Sequence, residues 1–225
     1  MSVVPAPLPT VGRVLLRDQA ADRIREAIVA GDLAPGTVIK DADLAERLGL
    51  SVAPVRSALA RLADEGLVES KPQSHTRVTP LVLRPVRDAA VVVRAMHELA
   101  VREAAGCVTE EDVAAMQAAN RQFAAAVSAH DVDAALAADD ALHAVLLTRG
   151  GNTAATATVA RFTPLIRRLE RQRFAAEDGQ RSVQAHDRLI AACAARDVDA
   201  AVAVTTEIWT ALLSELDEEN PDGTV

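Results

Sequence analysis

The chain has 225 residues, and its 24 Lys and Arg against 32 Asp and Glu give a net charge of -8, which excludes a generally basic nucleic-acid coat. The first 80 residues are balanced, with ten basic and ten acidic side chains, so the whole acidic excess lies in the rest. Hydrophobic residues make up 50% of the chain but aromatic residues only 2%, which favours packed helices over an aromatic sheet core. The uneven charge suggests two parts with different tasks.

Neither a membrane span nor a secretory route is predicted. The longest apolar run, around Ala89 to Val93, is far shorter than the roughly 20 residues that a helix needs to cross a bilayer. Cys107 and Cys193 lie far apart and no signal-peptide pattern is present, so a disulfide framework is not expected. These observations predict a protein of the reducing cytoplasm.

The N-terminal part is predicted to hold a flexible arm and two helices. Residues 1–12 contain three prolines and are predicted to form the arm. An apolar stripe with helical spacing predicts a first helix over about Leu15 to Ala30, which Gly31 can end. A proline-glycine turn at residues 35–36 then leads to a short helix over Asp41 to Leu48.

The next segment has the spacing of a helix-turn-helix. Ala45 is small enough for two helices to cross closely, Gly49 can take the positive φ of a tight turn, and Val55 can pack the second helix on the first. Ser51 is predicted to cap that second helix, and Pro54 is tolerated in its first turn. The outer face of the helix, which could enter a major groove, carries Ser51, Arg56, Ser57 and Arg61.

A β-wing is predicted directly after this helix. Leu67 to Ser70 and Thr76 to Thr79 have the pattern of two short strands around a polar turn. The predicted domain therefore spans residues 13–80. Pro80 and Pro85 bracket a short apolar piece, which predicts a linker over residues 81–85.

The remaining sequence, residues 86–219, predicts an all-α bundle, so the fold class is mainly α with an N-terminal winged helix-turn-helix. About six helices are separated by predicted breaks. These breaks lie at Thr109, at the similar turns His130-Asp131 and Arg196-Asp197, and at glycines. The residues after 219 are predicted to form a solvated tail. The six helices are predicted over about 86–105, 109–129, 132–149, 153–175, 182–195 and 198–218.

Five segments together resemble one known family, the GntR transcription regulators, in the FadR-type branch with a helical FCD effector domain. The resemblance implies a cytoplasmic, homodimeric DNA-binding repressor or activator, not an enzyme, whose C-terminal bundle senses a small carboxylate effector. The segments that carry it are Ile28–Gly36, Asp43–Ser51, Pro54–Leu59, Leu62–Val68 and Asp139–His143.

The resemblance also implies which residues contact operator DNA. Arg56 is the foremost candidate, because a guanidinium can pair with guanine or clamp a phosphate. Val52 and Ala53 stand where the family usually has Arg and Thr, which predicts an atypical operator or greater reliance on the other contacts. His75 is equally compatible with an exposed turn residue. The other candidates are Ser51, Arg61, Lys40, Lys71, His75, Thr76 and Arg77.

A divalent metal site is implied for the bundle. Asp139 and His143 lie four residues apart and so share one helix face. Together with His186 they match three of the four ligand positions of the family's metal-binding members, a donor set that suits zinc, nickel or manganese. Ile208 occupies the fourth position and cannot bind metal. Either three residues hold the ion with water or effector, or the site has lost its metal.

Three further residues are candidates for contacting the effector. Arg94 resembles a pocket-lining arginine of the family, and His97 could replace the missing ligand, although a hydrogen-bonded core histidine is the simpler interpretation. Asn152 matches a recurrent Gly-Asn of the family and is predicted to cap a helix rather than to touch effector. The run Arg167, Arg168, Arg171 and Arg173 could bind an anion, but a solvated helix face is favoured because glutamates are interleaved.

Two other functions remain open from the residues alone. Asp139, His143 and His186 could form the catalytic metal site of a hydrolase, but no nucleophile motif or phosphate-binding loop accompanies them. A regulator that has lost metal or operator binding is the second alternative, because Val52 and Ala53 remove two polar contacts to DNA.

Overall fold

The computed structural model describes residues 15–70, 75–173 and 179–218. Its first three helices are α1 (Leu16–Ala30), α2 (Asp41–Leu48) and α3 (Val52–Asp64). The predicted apolar stripe of α1 is buried, and Gly31 ends the helix in the left-handed conformation with φ 90°. Ile24 and Leu62 are among the largest fully buried side chains of this part, so α1 and α3 share one core.

The turn between α2 and α3 has the predicted geometry. Gly49 has φ 65°, and its amide donates to the carbonyls of Ala45 and Glu46. The predicted cap on α3 is wrong, because the Ser51 side chain makes no capping hydrogen bond. An N-cap oxygen accepts from the second or third amide of a helix, and the third position here is Pro54, which has no N–H.

The wing is a three-stranded antiparallel sheet rather than a two-stranded hairpin. Its strands are β1 (Val38–Ile39), β2 (Val68–Ser70) and β3 (Thr76–Val78), in the order β1-β3-β2. The first strand was not predicted, because two residues are too few to show a period. Arg77 pairs with Val38 on one side and Glu69 on the other, so β3 is the central strand.

Six helices make up the rest of the described chain. The helix that follows the wing begins at Leu83, so three residues of the predicted linker are helical. Pro85 fits there because the first turn of a helix needs no N–H from it. The helices are α4 (Leu83–Ala104), α5 (Glu110–Ser128), α6 (Val132–Gly150), α7 (Thr153–Arg173), α8 (Gly179–Ala194) and α9 (Val198–Glu218).

Helix α8 begins three residues earlier than predicted, at Gly179. A Cβ on this glycine would lie 2.5 Å from a methyl carbon of Val127, so the glycine allows α8 to approach α5 closely. Glycine at this position therefore serves packing, and it also begins α8, where a break between helices was predicted.

The turns within the bundle rest on local caps. Thr109 and Asp112 form a capping box at the start of α5. Asp131 accepts from the amide of Ala134, and Asp197 accepts in the same way from Ala200. The residues before these caps, His130 and Arg196, have φ 54° and 55°. The two similar sequence segments therefore form the same kind of helix-helix turn.

Helix α7 joins the bundle to the winged domain. Arg161 donates to the carbonyl of Asp64 at 2.8 Å, just at the end of α3. Arg168 donates to the carbonyl of Thr79 at 2.6 Å and to its hydroxyl at 2.9 Å, just after β3. Within the described residues, none of the helices has the length and apolar character needed to cross a membrane.

Candidate functional site

Three of the predicted site residues meet inside the bundle. Helix α6 supplies Asp139 and His143, and α8 supplies His186. The Nε2 atoms of the two histidines lie 3.8 Å and 3.3 Å from Asp139 Oδ1, respectively. One donor atom from each residue falls within 4.8 Å of the others, which is the spacing that a shared metal ion requires.

His186 is oriented by a residue that the sequence analysis missed. Asn120 on α5 donates from Nδ2 to Asp187 at 2.7 Å and to the carbonyl of Val183 at 3.2 Å. Its Oδ1 therefore faces His186 Nδ1, at 3.1 Å, and can only accept. His186 Nδ1 is therefore the donor of this hydrogen bond, and Nε2, the atom that faces Asp139, is the candidate ligand atom of the ring.

The signal for Asn120 was a polar residue on an apolar stripe. Met116 and Phe123 flank it at helical spacing, and all three are buried. Such a residue needs a buried partner, but the sequence does not show which side chain that partner is.

Arg167 is a second residue whose position was not predicted. Only 8% of it is exposed, and one of its nitrogens, Nη2, lies 2.5 Å from both Asp139 Oδ2 and Asp140 Oδ1. Its Nη1 donates to Glu170 at 2.6 Å. The preferred interpretation of the arginine run as a solvated face is therefore wrong for Arg167, and also for Arg168, which is 6% exposed.

The electrostatics of this cluster favour an ionised Asp139 beside a neutral His143. Burial opposes ionisation of Asp139, but Arg167 and His143 outweigh it and hold its pKa well below the usual range. Burial lowers the pKa of His143 to about 4 although Asp139 opposes the shift. A metal site needs this combination, since carboxylates and histidines bind metal in their deprotonated forms.

The charges around Arg167 also fit a divalent cation. Asp139, Asp140 and Glu170 bring three negative charges to one guanidinium, an excess of two when all are ionised. Burial and repulsion from the two aspartates raise the pKa of Glu170 even though Arg167 lowers it. The 3.3 Å between His186 Nε2 and Asp139 Oδ1 likewise suits two ligand atoms of one cation. The residues present therefore fit a three-ligand metal site.

The cluster opens on a cavity of about 760 Å³ between α4, α6, α7, α8 and α9. Ile208 lines this cavity, so the expected fourth ligand is replaced by hydrocarbon. His97 is 6% exposed and lines it too, with its ring centre 5.0 Å from that of His143. Burial, and then the His143 ring, lower the pKa of His97 to about 3, so this residue is neutral.

The other two effector candidates lie elsewhere. Arg94 is not among the lining residues, and its Nε lies 3.5 Å from Glu98 one turn along α4. Asn152 accepts from the amide of Ala155 at 3.1 Å, so the predicted cap at the start of α7 is confirmed. Neither position adds support to a contact with effector.

The candidate DNA-binding face is exposed, but two of its arginine side chains form ion pairs with carboxylates. Arg56 Nε donates to Asp41 at 2.9 Å while 73% of its side chain stays exposed. Arg61 pairs with Asp18 and Glu65. Ser51, Ala53 and Lys40 are exposed on the same domain, whereas Val52 packs partly on the core.

The wing candidates are mostly part of the sheet. Arg77 pairs with Glu69 across the strands, and the hydroxyl of Thr76 lies 3.0 Å from that of Ser70. His75 is half-buried directly before β3. Lys71 lies outside the described residues.

Two family models match the two parts of the chain. Residues 16–78 match the model described as bacterial regulatory proteins of the gntR family, and residues 88–211 match the FCD domain. Together they cover the winged domain and the bundle that holds the candidate metal ligands Asp139, His143 and His186.

Curated relatives carry regulator names. An uncharacterized HTH-type transcriptional regulator, YdfH of Escherichia coli O6:H1, is 28% identical over 62% of this chain and 59% of its own length. The HTH-type transcriptional repressor RspR of Escherichia coli K12 is 28% identical over 55% of this chain and 54% of its own. The chain thus spans somewhat more than half the length of these relatives.

The solved structure of McbR/YncC from E. coli has the same fold. It superimposes with a TM-score of 0.77 over 92% of this chain and 99% of its own, at 22% identity. The match extends over both domains, as do the two family models. The chain therefore belongs to the GntR family of bacterial regulatory proteins, in the group whose second domain is an FCD domain.

Proposed function

We propose that this protein is a DNA-binding transcription regulator that represses its target genes. Its affinity for operator DNA changes when a small carboxylate effector binds in the bundle. The observation that carries the proposal is a winged helix-turn-helix joined to a bundle whose cavity contains a buried cluster of charged residues. The names of the relatives support a regulator, and they lend nothing to the hydrolase alternative.

Operator binding is proposed to use α3 and the wing of two protomers. One short recognition helix reads few base pairs, so a homodimer with two half-sites is expected. The first 80 residues have no net charge, so attraction to DNA depends on the local patch around Arg56, Arg61 and Lys40. Because Arg56 pairs with Asp41 in the free protein, a guanine or phosphate has to replace that carboxylate.

Effector binding is proposed to depend on a divalent metal held by Asp139, His143 and His186. The cation would supply positive charge and open coordination positions to a carboxylate oxygen. Without it, the acidic excess around Arg167 repels an anion. We therefore expect carboxylate binding only in metal-loaded protein.

The signal is proposed to pass along α7. Arg167 belongs to the charged cluster, and its neighbour Arg168 holds Thr79 at the end of the wing. Arg161, two turns earlier, holds the end of α3. A ligand that changes the pairing of Arg167 would shift α7, and these two contacts would transmit the shift to the winged domain.

Footprinting on the DNA upstream of the gene tests the regulator function. We expect protection of two half-sites about one helical turn apart. Arg56→Ala should weaken binding by about ten- to a hundredfold, since a good arginine-base pair contributes about 1–3 kcal/mol. Arg121→Ala, which removes the same charge from an exposed position on α5, is the matched control. No protection by the parent protein would contradict operator binding, and an unchanged footprint for Arg56→Ala would remove that residue from the contacts.

A further inference from the structure

Four buried side-chain polar atoms in the described part of the chain lack a hydrogen-bond partner, and three of them belong to residues that line the effector cavity, whereas the fourth, Arg94 Nε, does not. The three are His97 Nε2, Arg167 Nε and Trp209 Nε1. Their residues are 6%, 8% and 8% exposed and all line the cavity. Buried donors and acceptors without partners are rare and unfavourable, so their grouping in one cavity points to a ligand that completes them.

Two of these atoms, His97 Nε2 and Trp209 Nε1, belong to residues outside the charged cluster around Asp139 and Arg167. The His97 ring centre is 5.3 Å from that of Trp209, with the planes at 84°, and 5.0 Å from that of His143. His97 thus stands between the His143 end of the cavity and the indole. The indole N–H can only donate, and neutral His97 can donate or accept.

The surrounding wall is apolar. Leu147, Val159, Ile166 and Leu212 line the same cavity, and Ile208 directly precedes Trp209. A ligand that reaches from the charged cluster to the indole therefore passes along hydrocarbon. Small acids made only of polar groups would leave this wall uncovered.

We infer that Trp209 and His97 form a second polar subsite in the cavity. This subsite selects effectors that have three parts: an acid group, an apolar body, and a neutral carbonyl or hydroxyl oxygen that lies at the indole. The inference rests on the proposed effector function of the cavity and specifies its ligand class. Trp209 donates to the oxygen, and His97 contacts the same oxygen from the side of the cluster. Straight-chain acids fill the wall but leave the indole N–H without a partner.

Matched acids test the subsite. Levulinate is compared with valerate, and longer keto and hydroxy acids with straight-chain acids of equal length, by calorimetry on the full chain with and without one equivalent of zinc. We expect at least one oxygen-bearing acid to bind about tenfold or more tightly than its partner, the worth of one satisfied buried donor. Trp209→Phe should remove this preference, whereas Leu213→Met, a change of similar volume on the same helix at a buried residue that does not line the cavity, should keep it.

The parent protein provides a second readout that does not depend on the folding of a variant. Trp209 is the only tryptophan in the sequence, so an isotope-labelled sample has one indole N–H resonance. The oxygen-bearing acid should move this resonance downfield, and its straight-chain partner should not.

The possible results separate the subsite from the regulator function. Equal affinities within every pair, or a preference that survives Trp209→Phe, would overturn the subsite and leave a carboxylate effector in place. No binding by any acid, with or without zinc, would overturn the subsite and the carboxylate class together. The footprint on operator DNA is decided independently in each case.

Discussion

At the scale of single residues, the candidate metal site depends on a residue behind its ligands. Asn120 accepts a hydrogen bond from His186 Nδ1 and so keeps Nε2 turned toward Asp139 as the candidate ligand atom. Partners of this kind orient a ligand and commonly change metal affinity by about 10–100-fold. The site is thus a network that includes α5, although α5 supplies none of the three ligands.

This arrangement predicts two grades of metal loss. His143→Ala should abolish stoichiometric zinc binding, and Asn120→Ala should weaken it by about 10–100-fold while keeping all three ligands. Equilibrium dialysis with metal analysis on untagged protein measures both. His75→Ala removes a histidine near the wing and serves as the control. Unchanged zinc content in His143→Ala would show that the ion is bound elsewhere.

Arg167 predicts a link between metal and stability. Arg167→Met leaves three carboxylates without their common partner, and removing one member of a buried charge group costs about 3–5 kcal/mol of unfolding free energy. Zinc should restore part of this loss, because it brings positive charge back to Asp139. Urea unfolding with and without zinc measures the effect, with Arg167→Lys as the charge-preserving comparison. Equal stability of Arg167→Met and parent protein would contradict the buried cluster.

At the scale of elements, α5 begins with a charged cap that the pH can remove. Asp112 receives a hydrogen bond from Arg149 and from the amide of Thr109, and these hold its pKa at about 2, below its usual value of 3.8. A carboxyl whose pKa is lower in the folded protein stabilises the fold above its unfolded pKa. That stabilisation disappears as the pH falls from about 4 to 2.

Asp112→Asn tests this cap. At neutral pH the variant should melt at a lower temperature than the parent protein, and the difference should shrink through the acid range as Asp112 itself becomes protonated. Thermal unfolding as a function of pH measures the difference. Asp199→Asn, in the first turn of α9, is a comparison without the capping box. A difference in melting temperature that stays constant down to the lowest pH would contradict the role of the charge.

At the scale of the whole molecule, two neighbouring arginines on one helix face different domains. Arg167 contacts the carboxylates of the bundle, and Arg168 contacts Thr79 of the winged domain. Helix α7 therefore contacts both the charged cluster and the winged domain. These two contacts give a direct physical route for coupling between effector binding and operator binding.

The coupling predicts a selective loss of response. The ratio of operator affinities with and without zinc measures the response of the parent protein, if zinc changes that affinity. In Arg168→Met this ratio should be close to one, although the variant should still bind zinc. Arg171→Met, which breaks an ion pair with Asp133 inside the bundle on the same helix, should retain the ratio. Operator titrations with and without zinc measure it. A normal ratio in Arg168→Met would exclude the Thr79 contact as the route.

Most helices and turns of this protein follow from its local sequence. Caps, glycine turns and helical spacing are set by residues close along the chain, so the helix-turn-helix, the wing and the bundle helices could be predicted to within a few residues. The same locality placed Asp139 and His143 on one face. It failed for the Ser51 cap, where Pro54 removes one of the two amides that a cap can accept from, and for the two-residue strand β1.

The side chains that complete the site come together through packing between distant segments of the chain. Arg167 meets Asp139 across 28 positions, and Asn120 meets His186 across 66, so no local period reveals either pair. An arginine run with interleaved glutamates is compatible with a solvated face, and the packing of α7 against α4 and α6 determines which arginine is buried. The cavity wall at Trp209 also depends on packing between distant segments, because five helices form the cavity.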